Sequence, residues 1–466
     1  MDSEKKTKYN KMSRFQHSLS LYVAKGLNIF FVTLPFALCW YLYYTNTLYI
    51  PFYSKGNLAM TILFAVIYLF MAEAYDGLTV SLNRISEMIY SSMLAVLVSD
   101  GVIYIVICIL YRGFAPVWPG LLCIGAQAIV IVLWSVFAHK WYYRVFRAQR
   151  TAIVYDCRQD LEESIGRHNL SKKFDVQGNF SVQECLANLS ILDGYETVFF
   201  SGVHSHDRNV ILKHCVEQDI NTYLVPRVGD LILRSSRQIH MMHLPILRVG
   251  RYNPSVLYLL TKRVFDILAS LLVLIITSPV FLVTAIAVKS DGGPVFYKQA
   301  RLTKNGKIFK VLKFRSMRVD AEKDGVARLS TGEKDDRITK VGHVIRKVRI
   351  DELPQLINIL VGDMTIVGPR PERPEIAADY EKTLPEFRLR LQAKAGLTGY
   401  AQVYGKYNTT PYDKLLMDLM YISKPSILED IRIMITTVKI LFMAESTEGV
   451  AAGQTTAMAE KDEKGR

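Results

Sequence analysis

From Val264 to its last residue the chain holds no cysteine and only one histidine, His343. That absence excludes Ser-His and Cys-His nucleophilic chemistry from the C-terminal part, together with any metal site built on sulfur or imidazole. Cysteine is sparse elsewhere too. Cys39, Cys108 and Cys123 fall in apolar runs, Cys157, Cys185 and Cys215 in the middle region, and none has CxxC spacing; a reduced, cytosolic face is the simple reading. The glycine-rich turn of a dinucleotide site is missing as well. Thr151-Ala152-Ile153-Val154-Tyr155 runs into Asp156-Cys157-Arg158, with no glycine to let a pyrophosphate approach the backbone. No bound NAD is expected, and the YxxxK spacing of Tyr258 and Lys262 reads as chance. His204 and His206 lack further metal ligands and read as part of a solvated loop. No small-residue cleavage site follows the basic stretch from Lys5 to Arg14, so the N-terminus is expected to stay as an anchor.

What is abundant is apolar length. Of the 466 residues 50% are hydrophobic, and runs at about 27–44, 57–72, 91–111 and 119–138 each approach the ~20 residues that a helix needs to cross the hydrocarbon core. Lys5, Lys6, Lys8, Lys11, Arg14 and Lys25 precede the first run, and Lys140, Arg144, Arg147 and Arg150 follow the fourth. Both ends of a four-helix region are therefore expected in the cytoplasm. The net charge of +14 is explained by such flanks, and nucleic acid is not expected as a partner. Between about 150 and 250 short β-rich runs, Thr151–Tyr155, Thr197–Phe200 and Thr222–Val225, alternate with helical stretches such as Val210–Gln218. This predicts a small α/β domain, Rossmann-like but without a cofactor motif.

A fifth run, Ile267 to Val288, carries no charge over 22 residues and as a straight helix would reach about 33 Å. Pro279 interrupts it, and Ser278 stands ready to bond the carbonyl that proline leaves free. Basic residues flank both ends: Lys262 and Arg263 before, Lys289, Lys298 and Arg301 after. A re-entrant hairpin with both ends cytoplasmic is expected, the alternative being a kinked fifth spanning helix.

Downstream lies the chemistry. Lys298, Arg301, Lys304, Lys307, Lys310, Lys313, Arg315 and Arg318 are interleaved with Phe296, Phe309 and Phe314 and with no acid. If Phe309 to Met317 is a strand, Lys313 and Arg315 share one face, where two cations could clamp a diphosphate. The bland reading of the patch is a basic surface beside anionic lipid. Then comes Arg349-Ile350-Asp351-Glu352-Leu353-Pro354-Gln355, followed by Gly368-Pro369-Arg370-Pro371. Asp351 and Glu352 could simply cap a helix. Their company of Arg346, Lys347, Arg349 and Arg370 suits phosphoryl transfer instead, in which a carboxylate attacks phosphorus while cations or a divalent metal neutralise the phosphate oxygens. Glu352 beside Asp351 supplies hard oxygen donors suited to magnesium.

These residues resemble the bacterial sugar transferases, the monotopic phosphoglycosyl transferases. The resemblance rests, in order, on Gly293-Pro294-Val295-Phe296-Tyr297-Lys298-Gln299, Lys313-Phe314-Arg315-Ser316-Met317, Asp336-Arg337-Ile338-Thr339, Asp351-Glu352-Leu353-Pro354-Gln355, Gly362-Asp363-Met364, Gly368-Pro369-Arg370-Pro371 and Gly399-Tyr400-Ala401-Gln402-Val403, spread over roughly Lys262 to Met443. The whole layout is similar to the large polyprenyl glycosylphosphotransferases of capsule and exopolysaccharide assembly. It implies Asp351 as nucleophile and Glu352 as its partner at Mg2+. Lys313, Arg315, Arg346 and Arg370 would bind substrate phosphates, with Pro369, Pro371 and Gln402 in the nucleotide-binding set. Ser278-Pro279 matches the family's helix break. Tyr400 departs from the Trp that many relatives carry, which puts sugar preference in doubt.

The architecture this implies is a helical membrane bundle over 1–145, a Rossmann-like α/β domain over 146–255, a mixed α/β monotopic catalytic domain with a re-entrant helix over 256–445, and a disordered tail over 446–466. The implied function is transfer of a hexose-1-phosphate from a UDP-sugar to polyprenyl (undecaprenyl) phosphate at the cytoplasmic face of a bacterial inner membrane. Lipid bilayer, UDP-sugar and polyprenyl phosphate are the implied partners, and a homodimer stays open. Three rivals remain: a nucleotide-sugar-modifying enzyme, which the missing glycine turn disfavours, a multi-span transferase without a covalent intermediate, and a catalytically silent membrane scaffold.

Overall fold

The computed structural model describes residues 2–156, 161–252, 254–290, 292–319, 337–405 and 409–441. Asp336, Cys157, Arg158 and the tail lie outside the described residues. The chain divides into two compact units, Met1–Val225 and Pro226–Arg466.

The first unit begins with four long helices: α1 (Asp2–Leu42), α2 (Ser54–Ala74), α3 (Ile85–Tyr111) and α4 (Trp118–Val145). Pro119 opens α4, where its missing N–H costs nothing. All four are long and apolar enough to cross a membrane. They pack inside out, with Ile105, Ile109, Leu121 and Leu133 exposed. Inside, Phe36 stacks on Phe64 at 4.4 Å, the Tyr68 hydroxyl donates to Asn28 Oδ1 at 2.8 Å, and the Trp40 indole donates to Asn57 at 3.1 Å. Such polar pairs fix helix neighbours where exposed leucines give no preference.

The rest of this unit is an α/β domain. Strands β1 (Gln149–Tyr155), β2 (Phe174–Ser181), β3 (Thr197–Ser201) and β4 (Asn221–Leu224) form a parallel sheet in the order β2-β1-β3-β4. Helices α5 (Leu161–Arg167), α6 (Val182–Ala187) and α7 (Ser205–Glu217) connect them. Val154, Val198, Phe200, Cys185, Ile211 and Cys215 fill one face of the sheet, and Ile153, Ile165 and Phe174 the other. The order of strand addition reverses between β1 and β3, the place where doubly wound sheets hold ligands. There His204 Nδ1 lies 2.7 Å from Asp156 Oδ2, an exposed pair that leaves His204 open to solvent.

The second unit starts with α8 (Val228–Arg234) and a hairpin of β5 (Arg237–Met241) and β6 (Leu244–Arg248). This segment clusters with the C-terminal unit, and just after it the Tyr252 amide donates to Gln392 at 3.0 Å and Arg251 to Asn305 at 3.0 Å. Next comes α9 (Val256–Ser290), 35 residues with Pro279 inside. The antiparallel pair β7 (Phe296–Leu302) and β8 (Ile308–Phe314) follows, then α10 (Lys340–Lys347), α11 (Gln355–Val361) and β9 (Thr365–Val367). After α12 (Pro374–Thr383), β10 (Gly396–Thr398) pairs parallel with β9, and α13 (Tyr400–Val403), α14 (Pro411–Ser423) and α15 (Ile427–Leu441) end the described fold.

Helix α9 is held to this body at both halves. Near its start Lys262 reaches Asp430 at 2.8 Å and the Tyr258 hydroxyl donates to the same carboxylate at 3.0 Å. The YxxxK spacing therefore serves packing. Arg263 caps α11 by donating to Ile359 O and Leu360 O, and buried Asp266 accepts from Thr365 and the Ile366 amide. Near its end Phe281, Ala285 and Val288 pack with Phe314 and Ile345. The stretch between is apolar and largely exposed, Leu272, Ile275 and Ile276 among it. Ser278 Oγ donates to Ile275 O at 2.8 Å, the carbonyl four residues before Pro279 that the proline cannot serve.

Candidate active site

Asp351 and Glu352 sit in a 3₁₀ turn, Ile350–Glu352, between α10 and α11. Two features put them there. Arg349 takes a left-handed conformation, φ 53°, which ends α10 abruptly and reverses the chain. Ile350 and Leu353, on either side of the carboxylates, sink into the same apolar cluster as Phe281, Ala285 and Val288 of α9. The acidic pair is thus pinned to the membrane-type helix by its own neighbours. Neither carboxylate caps a helix, for α11 starts at Gln355 with Pro354 as its cap residue.

Glu352 is instead gripped by cations. Lys313 Nζ lies 2.9 Å and Arg370 Nη2 3.1 Å from Glu352 Oε1, and Arg349 lies 4.0 Å from Oε2. Burial works to raise the Glu352 pKa, but Lys313, Arg370 and Arg349 outweigh it and hold the carboxyl well below the usual carboxylate range. Asp351 goes the other way. Burial raises its pKa and the charge of Glu352 adds to that, while Lys313, Arg346 and Arg349 pull it back only in part. One carboxylate is locked in ionised form and the other is a destabilised, more basic anion, a split that assigns different roles to the two.

Lys313 reaches this point because Asn358 of α11 docks on β8: its amide oxygen accepts from Leu312 N and its amide nitrogen donates to Lys310 O, both at 2.9 Å. Arg315 does not join it. Strand β8 stops at Phe314, so the shared face expected for Lys313 and Arg315 ends between them. Arg315 is 7% exposed and donates to Val288 O, Gly292 O and Pro294 O. It closes the end of α9 and the loop beyond, and carbonyls have taken the fork expected for a diphosphate.

The Pro369-Arg370-Pro371 turn is suspended by its three carbonyls. Pro369 O accepts from Gly396 N at 2.9 Å, Arg370 O from Arg390 at 2.8 Å, and Pro371 O from Arg301 at 3.0 Å. Arg390 is in turn held by buried Asp418, with 2.7 Å between them. Below the turn three glycines touch: a Cβ on Gly396 would stand 2.2 Å from Gly368 N, and one on Gly399 2.2 Å from Gly368 O. Gln402 follows in α13, and its amide oxygen and nitrogen are buried without a hydrogen-bond partner. Arg346 acts on Asp351 through space. The pair Asp351 and Glu352 offers hard oxygen donors, with Glu352 Oε1 already committed; that set suits an ion that takes most of its shell from water and phosphate. Among the described residues no cluster of three or more His, Cys, Asp or Glu forms a closed metal cage.

Residues 257–444, which contain all of these groups, match the family described as bacterial sugar transferase. Exopolysaccharide production protein PSS of Rhizobium leguminosarum bv. phaseoli is 41% identical over 201 residues, covering 98% of that protein and 41% of this chain. The chain belongs to the bacterial sugar transferase family. UDP-glucose:undecaprenyl-phosphate glucose-1-phosphate transferase of Caulobacter vibrioides is 38% identical over 206 residues, 76% of that protein and 43% of this chain. Galactosyl transferase CpsE of Streptococcus agalactiae is 42% identical over 196 residues, 40% of this chain, and there the match spans 43% of the relative.

Of the residues singled out in the sequence, the structure brings Lys313 and Arg370 of the Pro-Arg-Pro turn onto Glu352 of the acidic pair. Sequence reading missed Asn358, Asp266 and the Arg390–Asp418 pair, each isolated in sequence from any motif. The signal that could have found the last is an acid inside the apolar pattern Leu415, Leu416, Leu419 of α14, where only a partnered charge is tolerated.

Proposed function

We propose that the chain transfers a hexose-1-phosphate from a UDP-sugar to polyprenyl phosphate, releasing UMP. Asp351 attacks the sugar-bearing phosphorus, the bond to the UMP oxygen breaks, and UMP leaves with that electron pair. The polyprenyl phosphate oxygen then attacks the aspartyl-phosphosugar, forming the diphosphate product and freeing the Asp351 carboxylate. The observation that carries this reading is the division of labour in the acidic pair: Glu352 is held ionised by Lys313 and Arg370 at one oxygen, and Asp351, beside it, is left as the more basic carboxylate. The ionised Glu352 fixes the two cations where phosphate oxygens must be neutralised. Asp351 and Glu352 would hold Mg2+, which when bound supplies further neutralisation of phosphate charge. Arg346 and the unpartnered Gln402 amide would contact the donor, while Arg315 supports the site from behind.

The relatives carrying this module include one named for this type of reaction with glucose, which supports the substrate class. Helices α1 to α4 would cross a bacterial inner membrane, and α9 would dip into one leaflet. The re-entrant reading is supported by length: 35 residues make a helix about 50 Å long, yet both halves pack on one folded body. A helix crossing the bilayer would carry its far end to the other side. The site would then lie at headgroup depth, cytoplasmic side, where a soluble donor meets a buried lipid.

The test is UMP release by detergent-purified protein with Mg2+, polyprenyl phosphate and a panel of UDP-sugars. Release with one sugar, lost in Asp351→Asn, is expected, together with labelled sugar phosphate trapped on the wild type in the absence of lipid. Turnover by Asp351→Asn would exclude the covalent route.

A further inference from the structure

One face of the β7–β8 pair carries a line of polar side chains that the proposed reaction does not use. The register sets Tyr297 opposite Lys313, Gln299 opposite Val311 and Arg301 opposite Phe309, and partners so placed share a face. It is the face that serves the site: Lys313 reaches Glu352 from one end of it, and Arg301 donates to Pro371 O from the other. Gln299 stands between them, and its bonds have a direction. Arg301 Nε and Nη2 both donate to Gln299 Oε1, at 3.1 and 2.6 Å. A guanidinium can only donate, which fixes the orientation of the amide. Gln299 Nε2 therefore donates to the Tyr297 hydroxyl oxygen, at 3.3 Å, and the Tyr297 O–H proton is directed away from Gln299. Tyr297 is 42% exposed, directly across the ladder from the lysine that meets the acidic pair.

We infer that Tyr297 is a substrate-contacting residue, its hydroxyl donating to a phosphate oxygen beside Lys313, and that Gln299 is the positioning residue that aims it. The inference rests on the transferase reading and extends it to two uncharged residues outside the acidic motif and the Pro-Arg-Pro turn. The relay starts at that turn: Arg301, bound to Pro371 O, holds the Gln299 amide, which in turn sets the direction of the Tyr297 hydroxyl. Two substrates offer the anionic oxygen it would meet, the diphosphate of the nucleotide sugar and the lipid phosphate.

The test compares wild type, Tyr297→Phe, Gln299→Glu and the double variant as full chains in detergent, reading the ligand-free Tm and kcat/KM for the UDP-sugar and for polyprenyl phosphate. Glutamate at 299 keeps the acceptor for Arg301 but has no N–H for Tyr297, whose hydroxyl would turn inward and donate to the new carboxylate. Both single variants should hold the ligand-free Tm and lower kcat/KM about tenfold, the size of one hydrogen bond to a charged group. The double variant should be no worse than either, because both changes remove the same contact. A loss confined to the UDP-sugar assigns the contact to the nucleotide's share of the diphosphate, one confined to polyprenyl phosphate assigns it to the lipid, and a loss in both assigns it to the transferred sugar phosphate. Unchanged kcat/KM in Tyr297→Phe would overturn the inference while leaving Asp351 chemistry standing. Losses that add in the double variant would do the same, since charge at 299 would then act without the tyrosine. Absence of UMP release by the wild type would overturn the transferase reading and this inference with it.

Discussion

At the scale of the residue, the acidic pair sets a pH dependence whose direction can be worked out. In the proposed reaction Asp351 must be ionised to attack, and its pKa is raised above the ordinary 3.8, by burial first and then by Glu352. Turnover should therefore fall as pH drops through that raised value, with an acid limb above that of an ordinary aspartate. Glu352→Gln removes a charge that raises it and should move the limb of the residual activity to lower pH; Lys313→Met removes one that lowers it and should move the limb up. A pH–rate profile of the three proteins checks both signs, and limbs that do not move would show that Asp351 is not the titrating group. For stability the two carboxyls work oppositely. The depressed Glu352 contributes stability above its unfolded pKa, which is lost as pH falls through its folded value. The raised Asp351 costs stability once it ionises at higher pH. Asp351→Asn should then raise the Tm at neutral pH while turnover disappears. Lys313 and Arg315 show what one sequence can disclose at this scale. Both were legible as cations aimed from one strand, but where the strand ends is a matter of tertiary packing, and that decided which of them reaches Glu352.

At the scale of the element, the site depends on small docking devices rather than on long helices. Asn358 replaces a missing strand partner for β8, and truncating it leaves a strand amide and a carbonyl without partners in a buried place. Asn358→Ala should cost about 2–3 kcal/mol, seen as a lowered Tm together with reduced kcat, since Lys313 rides on the same strand. Gly396→Ala should be worse than its size suggests, on the order of 3 kcal/mol, because the added carbon would stand 2.2 Å from Gly368 N and force β9 and β10 apart beneath Arg370. Chemical denaturation of both variants, with the wild type alongside, measures these losses. Sequence periodicity had found β1, β3, β4, α7 and the apolar helices, whose buried faces repeat cleanly. It passed over β2, in which Asp175, Gln177 and Asn179 alternate on an edge strand, and it could not foresee that Ile350 and Leu353 would bury against α9, a contact between segments distant in the chain.

At the scale of the whole molecule, the two units are separable in principle. The Rhizobium relative matches along 98% of its length over 201 residues, which argues that this module needs no partner domain to fold. A fragment of residues 226–466 should therefore be recovered with membranes, resist carbonate extraction, and release UMP at a rate within about tenfold of the full chain. Recovery as a soluble, folded protein would mean that α9 has no lipid contact of its own. The fastening of α9 has one more consequence. Its exposed apolar middle, which in the proposed reading faces lipid, lies between two anchor points, Asp266 toward one end and Val288 toward the other, and both anchor points are made by the same folded body. Such a segment can neither enter nor leave a bilayer by itself, because withdrawing it would tear out the contacts that hold β9, α10 and the acidic turn. Insertion and folding are then a single event, and titration with denaturant should detach the module from vesicles at the concentration where its active site melts.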